Sequence, residues 1–358
     1  GNDHLPWQVD NWNPDRPIDG RMIGEATFGI PGNLPLGYHE LIVTVGSHDT
    51  DGHAEAGGEI HATATSTIIV TPNRVGLPRR MGASRVWGYA AQLYSVRSHH
   101  SWGLGDLTDL ADLCTWSASQ GAGYLLTNPL HAAEVTGRME PSPYLPSSRL
   151  FVNPIYIRPE LIAEYHDLDQ YDASLIESLR TTTLDDDPQA LLDRDRTWQA
   201  KSQALELIHR VDMSASRRMA FTAFRVARGR RLEDFATWCL LSELHGSDWH
   251  DWPAELHDPH GVAVARVRRE HADRIDLTMW LQWIADQQLS TAQSSGTDAG
   301  MPVGLICDLA VGVNGSGADA WMLNGLFARE MNVGAPPDPF NQAGQDWGQP
   351  PMRPDVLE

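Results

Sequence analysis

The periodicity of apolar residues changes character near residue 85. Before it, short apolar and alternating stretches at residues 25–30, 38–45 and 62–70 are separated by Gly, Pro and polar turns, the last two by a Gly/His/Asp loop. Stretches bounded this way predict strands, and together they read as the end of a β-sandwich over residues 1–72. A complete sandwich takes about 100 residues, so its first strands are expected upstream, as is the natural start of a chain that begins at Gly1 rather than Met. Residues 71–84 hold Pro72, Pro78 and three Arg without apolar period, which predicts a linker over 73–84.

From residue 85 the pattern becomes buried strand, then helix. Residues 87–96 predict a strand. Leu107, Leu110, Ala111, Leu113 and Cys114 then recur at helical spacing over 107–120, and Gly121 closes that helix. Residues 123–130 and 302–313 are further nearly continuous apolar runs, the last followed by a helix from about Ala318. Strand, helix, strand implies a parallel sheet with right-handed crossovers. The long stretch between the second and third strands is mostly helical, with Leu232, Phe235, Ala236, Cys239 and Leu240 on one stripe, ended by Gly246, and Leu277, Trp280, Leu281 and Ile284 on another. It reads as a helical subdomain inserted over about 155–300. Its run Arg225 to Arg231, with four Arg, reads as a solvated helix end.

Composition narrows the function. The 358 residues give a prior of two to three domains. With 27 basic and 47 acidic residues the net charge is −20, and Lys201 is the only lysine. Such a field repels polyanions, which argues against nucleic acid or an anionic membrane as partner. No apolar run reaches the length of a membrane span, and the polar start carries no signal-peptide pattern. Three scattered cysteines, Cys114, Cys239 and Cys307, read as reduced thiols of a cytoplasmic protein. Trp, at 13, outnumbers Phe at 7 and Tyr at 8; indole faces suit the C–H faces of sugars as well as a core.

Several familiar chemistries fail on inspection. Gly103-Leu104-Gly105 lacks the third glycine of a dinucleotide fingerprint, there is no phosphate-cradling lysine loop and no nucleophile elbow, and His245, His250, His257 and His260 are not spaced as metal ligands. What remains are polar, Gly/Pro-rich segments directly after strands, where a parallel barrel carries its site: residues 101–106, 128–131, 140–144 and 308–313, and the long loop 333–350. Aromatics alternating with amides and carboxylates on a stiffened loop suit a polyhydroxyl ligand.

At these segments the chain resembles a known family. Trp102-Gly103-x-Gly105-Asp106-Leu107, Ser142-Pro143-Tyr144, Phe151-Val152-Asn153-Pro154, Asp308-Leu309-x-Val311-x-Val313 with Ala318-Asp319-Ala320-Trp321, and Pro336-Pro337-Asp338 with Gly344-Gln345-x-Trp347-Gly348-x-Pro350 are similar to the amylomaltases, the bacterial 4-α-glucanotransferases of glycoside hydrolase family 77. Residues 92–98 and 344–347 resemble the longer actinobacterial members, which carry extra N-terminal domains. The resemblance implies a (β/α)8 TIM barrel, of which residues 85–358 would supply the first three strands, acting on maltooligosaccharides without metal or organic cofactor. It also implies a retaining mechanism with an Asp nucleophile and a Glu acid. The family's Arg-x-Asp-His and Gly-Glu-Asp-Leu-Gly segments are absent here, so no catalytic carboxylate is assigned within the chain and both are expected beyond residue 358. Arg274-Ile275-Asp276 spells three residues of the first segment, but Leu277 replaces its His, and Asp276 reads as a helix N-terminal carboxylate.

The residues that the resemblance carries over bind substrate: Ser142 and Tyr144 at the cleavage point, Asp308 at the end of the third strand, and Asp338, Phe340, Gln345 and Trp347 on the loop over the acceptor subsites. A packed loop anchor is the alternative for Tyr144, and a strand-end turn cap for Asp308. Two departures stand out. Pro339-Phe340-Asn341 replaces the family's Tyr-Phe-Ser, losing one aromatic, and Met139-Glu140 precedes Ser-Pro-Tyr where many members have an Asp. A glucan-binding protein without catalysis and a related α-amylase-type hydrolase are the alternatives to transfer.

Overall fold

The computed structural model describes residues 6–9, 16–18, 20–25, 27–46, 60–82, 85–134, 136–184, 190–328 and 330–357. The chain divides into two compact units, Gly1–Gly76 and Leu77–Leu357.

In the first unit the described residues form antiparallel ladders. Strand β1 (Trp7–Val9) pairs with β4 (Thr27–Gly29), β2 (Arg16–Ile18) with β3 (Arg21–Ile23), and β5 (Gly37–Gly46) with β6 (Ile60–Val70). The strands expected at 38–45 and 62–70 form this last ribbon, the one expected at 25–30 shortens to β4, and the Gly/His/Asp loop lies outside the described residues.

The second unit is built on a parallel sheet of β7 (Gly88–Ala91), β8 (Tyr124–Thr127) and β11 (Gly304–Cys307), with β8 in the middle and Gly88 and Gly304 both opposite Tyr124. Two short antiparallel strands, β9 (His131–Ala132) and β10 (Ser148–Val152), lie between β8 and the helices. All three strands expected here, at 87–96, 123–130 and 302–313, shorten to four residues. After β7 the side-chain oxygen of Asn128 captures the Leu93 N–H at 2.7 Å, and a 3-10 turn replaces extended chain. After β11 the Asp308 N–H still reaches Thr127 O, but the Arg149 guanidinium then takes the carbonyls of Ala310 and Val311.

Helix α1 (Leu107–Ser119) starts on a reciprocal cap: Asp106 accepts from the Thr108 and Asp109 N–H groups while Asp109 accepts from the Asp106 N–H. It buries Leu107, Leu110, Ala111 and Cys114, and Gly121 at φ +84° ends it. The insertion comprises α2 (Gln170–Thr183), α3 (Arg194–His209), α4 (Ala215–Arg228), α5 (Arg230–His245), α6 (Val262–Glu270) and α7 (Ala272–Asp298). Helix α7 packs on α1 and α5, and Trp238 and Trp280 are fully buried in the shared core. The Arg run is exposed at a helix end, as expected. It spans the α4–α5 junction, where Arg225 and Arg228 reach Asp276 and Asp286 of α7. Asp276, likewise, sits beyond the first turn of α7 and is held by Arg225 and His209. An ion pair between helices, rather than the helix dipole, accounts for it.

Helix α8 (Ala318–Met322) follows β11, and β12 (Val333–Ala335) with β13 (Gln345–Gln349) forms a hairpin before α9 (Pro354–Leu357).

Candidate functional site

The first post-strand segment turns out to be scaffolding. Ser101, Trp102, Leu104 and Asp106 are buried. The Trp102 indole donates to Glu160, and a Cβ on Gly105 would stand 2.0 Å from Val96 O and 2.1 Å from Leu93 O. The glycine is required by this backbone approach. Arg158, itself buried, spans Asp106 and Asp109. Lys201 of α3, completely buried, donates to the carbonyls of Ile155 and Ile157 at 2.6 and 2.9 Å, and burial pushes its ammonium down to about 8. The segment at 128–131 is also largely buried, with Asn128 locked between Leu93 and Pro129.

Exposed polar groups gather instead around the carboxyl end of β11. The Tyr144 hydroxyl donates to Asp308 Oδ2 at 2.9 Å, across 164 residues of chain, and this bond pushes the phenol up from its ordinary range. Tyr144 is 45% exposed, so a bond holds its ring in place while a face stays open. Asp308 also accepts from the Leu309 N–H; it is thus both a turn cap and the partner of Tyr144. Ser142 has a local role, its hydroxyl accepting from the Tyr144 N–H at 3.3 Å.

His131, the first residue of β9, joins this cluster by accepting the Ala310 N–H at 3.3 Å. Burial, and secondarily Arg149, lowers its pKa, against an opposing pull from Asp308. A lowered imidazole favours the neutral ring that this bond needs. Stability owed to it should be fully present above the ordinary histidine value and fall as pH drops through and below 6.5. Urea titrations from pH 7.5 to 5 should show a steeper loss for the wild type than for His131→Gln; parallel curves would remove His131 from the account.

The hairpin holds the other carried-over residues. Asp338 accepts from the Phe340 and Asn341 N–H groups, both at 2.7 Å, so its carboxylate shapes the tip, and Phe340 is wholly exposed. Register jumps between Val333↔Gln349 and Gly334↔Asp346, leaving Trp347 and Gly348 outside the ladder, with Gly348 at φ +64°. Such a bulge re-aims a side chain. Here it turns out Trp347, 37% exposed, whose indole N–H donates to Gln345 Oε1 at 2.9 Å. Asp346 accepts from the Gly348 N–H, its first cause of a lowered pKa, and from Asn332.

Residues that the pattern did not single out join these pieces. Gln349, buried at the end of the bulge, donates to the Tyr144 carbonyl at 3.0 Å. Arg149 fixes residues 310–311, and its backbone N–H donates to the buried Asp319. Neither carries a sequence signal: Arg149 stands alone between two motifs, and Gln349 falls at an unspecified position inside one. The structure therefore brings Tyr144, Asp308 and the Trp347 hairpin into one linked assembly and leaves the Phe340 side chain wholly exposed at the hairpin tip.

A family profile described as 4-alpha-glucanotransferase matches residues 91–358. The chain belongs to the 4-alpha-glucanotransferase family. A second profile, described as the MalQ N-terminal beta sandwich domain, matches residues 2–72. The 4-alpha-glucanotransferase of Mycobacterium tuberculosis is 50% identical over 98% of this chain, and that of Haemophilus influenzae 30% identical over 91%. Among solved structures, amylomaltase from Corynebacterium glutamicum superposes on 100% of the chain with TM-score 0.82 and 39% identity. An amylomaltase from Streptococcus agalactiae in complex with acarbose shares the fold over 76% of the chain, with TM-score 0.65 and 18% identity. The chain spans about half the length of the curated relatives it matches, 47% in the two cases given, and 47% of the Corynebacterium structure.

Proposed function

We propose that this chain is the N-terminal part of a 4-alpha-glucanotransferase that moves α-1,4-glucan segments between maltooligosaccharides by retaining double displacement, with its nucleophile and acid beyond residue 358. In this reading the sheet β7–β8–β11 is the first three strands of an eight-stranded barrel over 85–358, with the helices of about 155–300 inserted, residues 73–84 a linker, and residues 1–72 part of a β-sandwich. Support for the division comes from the separation of the chain into units at Gly76. The observation that carries the functional reading is the Tyr144–Asp308 bond at the carboxyl end of β11, joined to an aromatic hairpin in a member of this family. Ser142, Tyr144 and Asp308 would hold the sugar at the cleavage point; Asp338, Phe340, Gln345 and Trp347 would meet the acceptor. That the Streptococcus amylomaltase was solved in complex with acarbose supports a saccharide ligand for this reading.

Such a mechanism calls on carboxylates alone, without metal or organic cofactor. We place the protein in the cytoplasm, a reading that rests on three cysteines, an odd number, scattered through the sequence without a paired motif. The full-length protein, given maltotriose, should produce a ladder of longer glucans together with glucose. Glucose and maltose without longer products would move the protein to hydrolysis, and tight glucan binding with no product at all would leave it a binding protein.

A further inference from the structure

Gln349 is the one side chain found to hydrogen-bond the Trp347 hairpin to the Tyr144 loop among the described residues. Its amide donates to the Tyr144 carbonyl at 3.0 Å, while Tyr144 reaches Asp308 through its hydroxyl at 2.9 Å. The side chain is 5% exposed and lies against Gly312, where an added Cβ would stand 2.7 Å from Gln349 Oε1. Three segments distant in sequence thus meet at one amide: the loop at Tyr144, the turn after β11 at Gly312, and the hairpin at Gln349. Trp347 stands two residues before it, outside the ladder, and the pairing of Val333 with Gln349 is the rung that closes the bulge. If that rung drifts, the anchor that sets where Trp347 projects is lost.

We propose that Gln349 is a positioning residue that sets the acceptor face of the hairpin against the Tyr144 cleavage point, and so governs acceptor use rather than donor recognition. This deepens the glucanotransferase reading and rests on it. Loss of the amide leaves the Tyr144 carbonyl without that donor and frees the hairpin, while the Tyr144–Asp308 bond stays.

The test uses the full-length protein with Gln349→Met, which keeps length and apolar volume but has no donor, and Gln349→Glu, which keeps shape but offers an acceptor at neutral pH. Gly312→Ala, which pushes on the same amide from the other side, is the independent variant should the first two fold poorly. With maltotriose as donor and glucose as acceptor, the expected result is a rise of about tenfold in the acceptor KM, comparable with one lost hydrogen bond, with donor KM within about twofold of wild type. Backbone amides of 345–348 should also exchange with deuterium faster. An acceptor KM within twofold of wild type in all three variants, or an equal rise in both KM values with unchanged exchange at 345–348, would overturn the proposal. Should the wild type make no longer glucans, the function fails on its own, and the exchange measurement still decides whether Gln349 holds the hairpin.

Discussion

Replacing Arg158 by methionine is expected to destabilise the full-length protein by about 3–5 kcal/mol, the range for breaking a buried ion pair by removing one partner. Its guanidinium sits with 7% of the side chain exposed between Asp106 and Asp109, at 0% and 3%. Both carboxylates also cap α1, so neither can turn to solvent without loosening the helix. The change should appear as a large drop in the urea midpoint with little change in slope. A shift below about 1 kcal/mol would mean that water reaches the pair and that the network is not the anchor described. The same substitution touches no residue proposed to meet substrate. Activity per folded molecule should therefore survive it.

A second large effect is expected at Trp347. Truncation to alanine in the full-length protein should weaken acceptor use by about 1–3 kcal/mol, by analogy with lost base-stacking aromatics, or about 5–150-fold. Stability should barely move, because the ring is more than a third exposed and its indole bond is to a neighbour two residues away. Removing a core tryptophan costs about 3–5 kcal/mol instead. Trp321, fully buried with its indole N–H on Leu256 O, is the internal comparison. A fall in melting temperature like that of Trp321→Ala would make Trp347 a packing residue and remove it from the acceptor site.

The apolar runs at 123–130 and 302–313 made the parallel sheet legible, since short, nearly continuous apolar runs bounded by turn signals and alternating with helices fit parallel strands. Strand ends were not legible, because they are decided by side chains arriving from elsewhere: Asn128 ends the extended chain after β7, and Arg149 bends it after β11. Tyr144 and Asp308 were readable as polar groups following strands, yet the bond between them spans 164 residues and has no local signature. The Trp102–Asp106 motif pointed the wrong way. Its Gly-rich, polar composition suits a ligand loop equally well, and only packing shows that Gly105 yields to two carbonyl oxygens. Asp276 misled for the reverse reason, since its place early in a helix suggested the dipole while its partner Arg225 is 51 residues away.

Lys201 has a practical consequence. As the only lysine in these 358 residues, with its ammonium sealed between α3 and the carbonyls of residues 155 and 157, it gives amine-directed reagents no side-chain target here while the fold is intact. Once α3 lifts away, the burial that depresses this amine is lost and it reacts as an ordinary exposed lysine, so the rate at which Lys201 takes up such a label is set by how often α3 opens. The residue is a built-in clock for local opening of this helix, readable from a single labelled peptide.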